Sequence, residues 1–163
     1  MIRKKIDSFL FIFLVFLMSF MVLNVLWQVA SRYLLRSPSS FTDELARFLL
    51  IWVGLLGAAY VTGKKLHLAI DIIPSKLTGK GAKNLNIFIN LTVALFAALV
   101  MVWGGLRLVY LTLTLNQTSA ALNMPLGYVY SVLPLSGLII IYYSILNLLE
   151  DPKESEVIGK EMF

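Results

Sequence analysis

An all-α integral membrane protein with four transmembrane helices is the fold class this sequence predicts. Three observations carry that expectation. Of 163 residues, 59% are hydrophobic and 14% charged, against roughly 25% charged in a soluble domain. Four apolar runs are each long enough to cross a hydrocarbon core of about 30 Å. The basic residues divide unevenly between the two sides that four spans would create.

Span one is expected from about Phe9 to Ala30, after Arg3, Lys4 and Lys5. A basic start before an apolar run resembles a signal peptide. The run exceeds a signal core of about 7–15 residues, however, and no small-x-small cleavage site follows it. Asn24, Gln28 and Arg32 instead form a polar stripe at four-residue spacing, so the reading is an uncleaved helix. A turn on Ser37, Pro38, Ser39 and Ser40 follows. Span two is expected from about Leu45 to Thr62, where Ser40 and Asp43 fit a capping box and the acidic pair Asp43–Glu44 suits a helix N-terminus. Span three covers about Leu85 to Leu108. Span four covers about Tyr128 to Leu149, with Pro134 in its first turns. Residues 1–150 thus form one four-helix membrane domain, and residues 151–163 a polar cytoplasmic tail. An interfacial helix is expected in the loop between spans two and three.

Orientation follows from the excess of Lys and Arg in cytoplasmic loops. Arg3, Lys4, Lys5, Lys64, Lys65, Lys76, Lys80, Lys83, Lys153 and Lys160 fall on one side; Arg32, Arg36, Arg47 and Arg107 fall on the other. Ten against four puts both termini in the cytoplasm. Tyr110, Tyr128 and Tyr130 then suit the outer interface. The net charge of +5 reflects span edges and lipid headgroups, and points to no nucleic acid.

The strongest local pattern is Asp43, Glu44 and Arg47 at the mouth of span two. Acid placed three and four residues before base is the favourable helical order. It reads either as a local ion pair worth under about 1 kcal/mol when exposed, or as a polar anchor for a partner at the outer surface. Gly54 with Ala58, Gly57 with Val61, and Gly104 with Gly105 place small residues along helix faces. Such faces let helices approach closely, within one chain or between subunits. Asn24 with Gln28, and Asn86 with Asn90, read as bonds between helices.

Other chemistry is not supported by the pattern. His67 and Asp71 lie four apart, but a metal site needs third and fourth ligands, and the cysteine count is zero. No Asp, Glu, Lys or His lies in the expected middle of any span, whereas proteins that move ions or protons usually bury one there. Broken helices in symmetric halves are not visible either. No GxSxG, HExxH or phosphate loop occurs. Neither an enzyme nor a cofactor is expected.

The run RYLLRSPSSFTDELARFLLIWVGLLGAA, His67-x-x-x-Asp71, and MPLGYVYSVLPLSG before the last span together resemble the small membrane subunit of tripartite ATP-independent periplasmic (TRAP) transporters. Phe41 stands where many members carry tryptophan. The resemblance implies a four-helix subunit of the bacterial inner membrane, with both termini cytoplasmic. It implies a large membrane partner that carries substrate and sodium by an elevator motion, and a periplasmic substrate-binding protein. The small subunit would brace the large one and help dock the binding protein. Asp43, Glu44, Arg47, Gly54 and Gly57 are then candidates for partner contact. Arg36, Ser39, Ser40, Asn116 and Gln117 are candidates for periplasmic docking. The overall sequence is most similar to the sialic acid type. A self-contained homo-oligomeric channel or small exporter is the alternative, and a membrane enzyme the third reading.

Overall fold

A computed structural model describes residues 2–34, 39–64 and 80–149. Arg36, Ser37 and Pro38 of the outer turn, the His67–Asp71 pair with the expected interfacial helix, and the polar tail lie outside the described residues.

The described chain is helical. Helix α1 runs Ile2–Tyr33 and α2 Ser40–Gly63. Helix α3 (Lys80–Phe96) continues through a π-helical segment, Ala97–Gly104, into α4 (Gly105–Thr114). A short α5 (Leu126–Tyr130) leads into α6 (Val132–Leu149). Among the described residues, four helical stretches are long and apolar enough to cross a membrane: Arg3–Tyr33, Ser40–Gly63, Asn84–Thr114 and Leu126–Leu149. Each extends beyond the span expected from hydropathy, because helix geometry continues into the polar ends that a hydropathy window excludes.

The start of α2 corrects one expectation. Ser39, not Ser40, is the N-cap, and it makes no side-chain capping bond. The Thr42 hydroxyl donates to the Ser39 carbonyl at 2.9 Å instead, and Asp43 is occupied elsewhere. Proline explains the break between α5 and α6. Pro134 lacks an N–H and its ring crowds the carbonyl four residues back, at Tyr130, and the helical run is interrupted at Ser131.

Packing gives the order α1, α2, α6 and then α3 with its π segment. Helix α1 packs on α2, α2 on α6, and α6 on α3 and the π segment. Helix α6 is therefore the inner element, and its span is the most buried of the four. Its small and polar residues Ser136, Gly137, Ser144 and Asn147 lie on buried faces. Two apolar clusters hold the row. One joins Leu10, Leu17, Leu49, Leu56, Val132 and Tyr143; the other joins Ala59, Ala97, Met101 and Ile140. Elsewhere large apolar side chains face outward, among them Phe16, Leu23, Phe88, Leu99 and Trp103. In water that surface would be a liability; in lipid it is the expected exterior.

Glycine sets the close contacts, and of the glycines the sequence pattern singled out only Gly105 is among them. A Cβ on Gly137 would lie 2.8 Å from the Met101 Cβ, and one on Gly105 2.9 Å from the Pro134 Cδ. Gly63 and Gly127 are pressed in the same way against Tyr143 and Leu113. Around Gly54 and Gly57, a Cβ would meet nothing within 4 Å. Those two glycines do not serve packing among the described residues.

Candidate functional site

The polar residues gather at the two ends of the helical row. The end that holds the start of α2 begins with Asn24 and Gln28, one turn apart on α1. The Asn24 amide donates to the Thr42 carbonyl at 2.8 Å, and Gln28 Nε2 donates to Asp43 Oδ1 at 2.9 Å. Both bonds cross from α1 to α2, as the four-residue stripe predicts for polar groups in spans. The other stripe behaves differently, since Asn90 Nδ2 donates within its own helix, to the Asn86 carbonyl and to Asn86 Oδ1.

Asp43 and Glu44 separate in role. Arg47 donates to Asp43 Oδ2 at 2.6 Å, with side chains 73% and 47% exposed. At that exposure the pair is the ordinary i, i+4 pairing of a solvated helix start. Glu44 turns the other way: its Oε2 accepts from the Ala121 backbone N–H at 2.7 Å. The segment it holds is a tight hairpin between α4 and α5. There the Ser119 N–H donates to the Met124 carbonyl at 2.9 Å, the Leu122 N–H to Ser119 Oγ at 3.1 Å, and the Leu126 N–H to the Gln117 carbonyl at 2.9 Å. Asn116 (φ 48°) and Asn123 (φ 53°) take the left-handed conformations that such a turn requires and that asparagine tolerates better than most residues. Trp52 adds a second tie, its indole N–H donating to the Val129 carbonyl at 3.1 Å.

This end thus brings together Ser39, Ser40, Asp43 and Arg47, which line one polar cavity with Gln28 and Arg32. Its volume is about 370 Å³. Glu44 joins the α4–α5 hairpin to α2, and Asn116 and Gln117 are exposed on that hairpin. Gly54 and Gly57 lie farther along α2, away from the cavity, and Gly54 is exposed.

The opposite end carries a cluster that spacing arguments did not single out. Tyr143, fully buried on α6, donates its hydroxyl to Asp7 Oδ1 of α1 at 2.5 Å. Lys64, at the end of α2, stands 3.5 Å from Asp7 Oδ2. Arg3 donates to the Gly63 carbonyl at 2.6 Å, and Asn147 Nδ2 to the Thr62 carbonyl at 3.1 Å. Three helices are tied here by one carboxylate and two backbone carbonyls at a helix end, where such carbonyls lack intrahelical partners. The available signal was a lone acid, Asp7, beside three bases, and Tyr143 with Asn147 four apart in span four. No group of three or more metal-ligating side chains occurs among the described residues.

A row of four apolar helices with polar knots at both ends and large apolar side chains turned outward defines a multi-pass membrane protein. Comparison with known proteins names the class. Residues 21–153 match the family model described as "Tripartite ATP-independent periplasmic transporters, DctQ component". The chain is 30% identical over 138 residues to the sialic acid TRAP transporter small permease protein SiaQ of Vibrio cholerae, covering 81% of this chain and 80% of that one. It is 33% identical over 96 residues to the isethionate TRAP transporter permease protein DctMQ of Oleidesulfovibrio alaskensis, covering 59% of this chain and 15% of that one. It is also 35% identical over 66 residues to the sialic acid TRAP transporter permease protein SiaT of Haemophilus influenzae, covering 40% of this chain and 11% of that one. The chain belongs to the DctQ family, the small permease component of TRAP transporters. It is a transport component and not an enzyme, and its partner is a large permease subunit.

Proposed function

We propose that this subunit braces the large, substrate-carrying permease in the bacterial inner membrane and helps receive a periplasmic substrate-binding protein. Both termini then lie in the cytoplasm, and the cavity end of the molecule faces the periplasm. Transport is driven by sodium, and the substrate is an organic acid of the sialic acid type, in keeping with the small permease of Vibrio cholerae to which the chain is similar. The observation that carries this reading is the cavity end itself. Glu44 holds the α4–α5 hairpin against α2, so Arg47, Ser39, Ser40, Asn116 and Gln117 are presented from adjoining, mutually braced segments. Two of the three chain segments at that end are fixed by hydrogen bonds to the third, which is how a docking surface avoids paying ordering entropy on contact.

The test is sodium-driven uptake of sialic acid by the assembled small and large permeases with their binding protein, in proteoliposomes. Arg47→Ala and Glu44→Ala are each expected to weaken uptake while the subunit remains at normal level in the membrane. Wild-type uptake by both variants would return Asp43, Glu44 and Arg47 to a purely local role. The chain reconstituted alone is expected to give no saturable uptake, because no ionisable group stands at mid-span among the described residues.

A further inference from the structure

Helix α1 packs along α2, and the hydrogen bond from Tyr143 to Asp7 links it to α6. From that bond toward mid-membrane the two helices enclose a half-open cleft of about 420 Å³, floored by α2. Its walls are Phe9 and Phe13 of α1, Trp52 and Leu56 of α2, and Leu135 and Ile139 of α6. The one polar side chain on the cleft is Lys5, at its end. Trp52 adds no unpaired donor, since its N–H is already given to Val129.

We propose that this cleft binds one acyl chain of an anionic phospholipid, with the phosphate held by Lys5. Length, polarity and charge each support that occupant. From Lys5 to Phe13 is eight residues, about 12 Å along the helix axis, so the cleft starts at headgroup level and descends into the hydrocarbon. An acyl chain asks for walls without polar atoms, and these walls meet that. A phosphate asks for a cation that is not already neutralised. Asp7, the nearest acid in sequence, is committed to Tyr143 and Lys64, and Lys5 forms no ion pair among the described residues. Exposed Lys4 lies next to it, and basic residues clustered at a membrane surface favour anionic headgroups. A lysine stem lying along apolar surface with its ammonium at the interface is the usual posture of this side chain in membranes. The lipid would act as a wedge that keeps α1 from closing on α6.

The proposal is tested on membranes holding the assembled small and large permeases, loaded with photoactivatable phosphatidylglycerol or phosphatidylcholine whose diazirine sits mid-chain. Cross-linked peptides are mapped by mass spectrometry, and the outward α1 face around Phe16, Phe20 and Leu23 reports bulk lipid. Labelling at Phe9–Phe13 and Leu135–Ile139 is expected to exceed that reference, and to be at least several-fold stronger with phosphatidylglycerol. Lys5→Gln should remove the headgroup preference without changing subunit level. Ile139→Trp, which fills the cleft, should remove the labelling itself. Labelling no stronger than the reference for both lipids would overturn the proposal. So would the absence of lipid adducts with cross-links from these residues to the large subunit instead, because the cleft would then be a protein contact.

Discussion

Asp7 shows how much one carboxylate can organise at a membrane edge. It accepts from Tyr143 and faces Lys64, so α1, α2 and α6 share a single anchor. A hydrogen bond to a charged group contributes about 1.5–3 kcal/mol, and a buried partner left unpaired costs a similar amount. Tyr143→Phe is therefore expected to lower the melting temperature of the purified subunit clearly, followed by tryptophan fluorescence in detergent. Asp7→Asn should cost less, because its amide oxygen still accepts from Tyr143. Gly63→Ala probes the same place sterically. Its Cβ would sit 2.7 Å from the Tyr143 ring, and overpacking of this kind costs about 1–3 kcal/mol. Arg47 is the contrasting residue. It is exposed and, among the described residues, pairs with Asp43, so Arg47→Ala should change the melting temperature hardly at all, by under about 1 kcal/mol in stability. A large drop on melting would show that Arg47 supports the fold, and would remove transport loss as a measure of docking.

At the scale of elements, the α4–α5 hairpin depends on α2. Its internal bonds shape it, but the contact from Glu44 to Ala121 positions it. A cysteine placed at exposed Ala120 should react several-fold faster with a soluble maleimide in a Glu44→Ala background than with Glu44 present. Equal rates would mean the hairpin holds itself. The contact between α6 and the π segment is the other element-level feature. Gly137 and Gly105 meet Met101 and Pro134 at distances that leave no room for a side chain, so Gly137→Leu is expected to abolish recovery of folded subunit. Gly54→Leu should not, since a Cβ there would meet no packing neighbour within 4 Å among the described residues. If Gly54 faces the large permease, the same substitution will reduce co-purification of the two subunits while the small one still melts normally.

For the whole molecule, the remaining expectation is orientation. Cysteines at Ser39 and Gln117 should label from the periplasmic side of intact cells, and one at Lys80 should not; labelling of Lys80 from outside would overturn the ten-to-four charge argument. Much of the fold was legible in the sequence because lipid imposes one demand on every span: about 20 apolar residues whose backbone groups are satisfied internally. That demand acts residue by residue along the chain, so four spans follow from composition; the crossing bonds of Asn24 and Gln28 do not, since Asn86 and Asn90 share their spacing and bond within one helix. Which small residues pack does not follow. Gly54, Gly57 and Gly105 were all singled out as small residues on helix faces, yet of these only Gly105 is pressed against a neighbour, and Gly137, outside that pattern, is pressed as closely, because a pattern describes one helix and a contact requires two. The partition of Asp43 and Glu44 has the same cause. Both acids suit a helix N-terminus equally well, and only the return of the hairpin to α2, 77 residues later in the chain, gave Glu44 a different partner from its neighbour. Local chemistry thus determined the spans, their polar ends and the family resemblance. Tertiary structure alone decided the order of the helices, the Asp7 anchor and the cleft beside it, since each arises from side chains that are distant in sequence and adjacent only once the helices have packed.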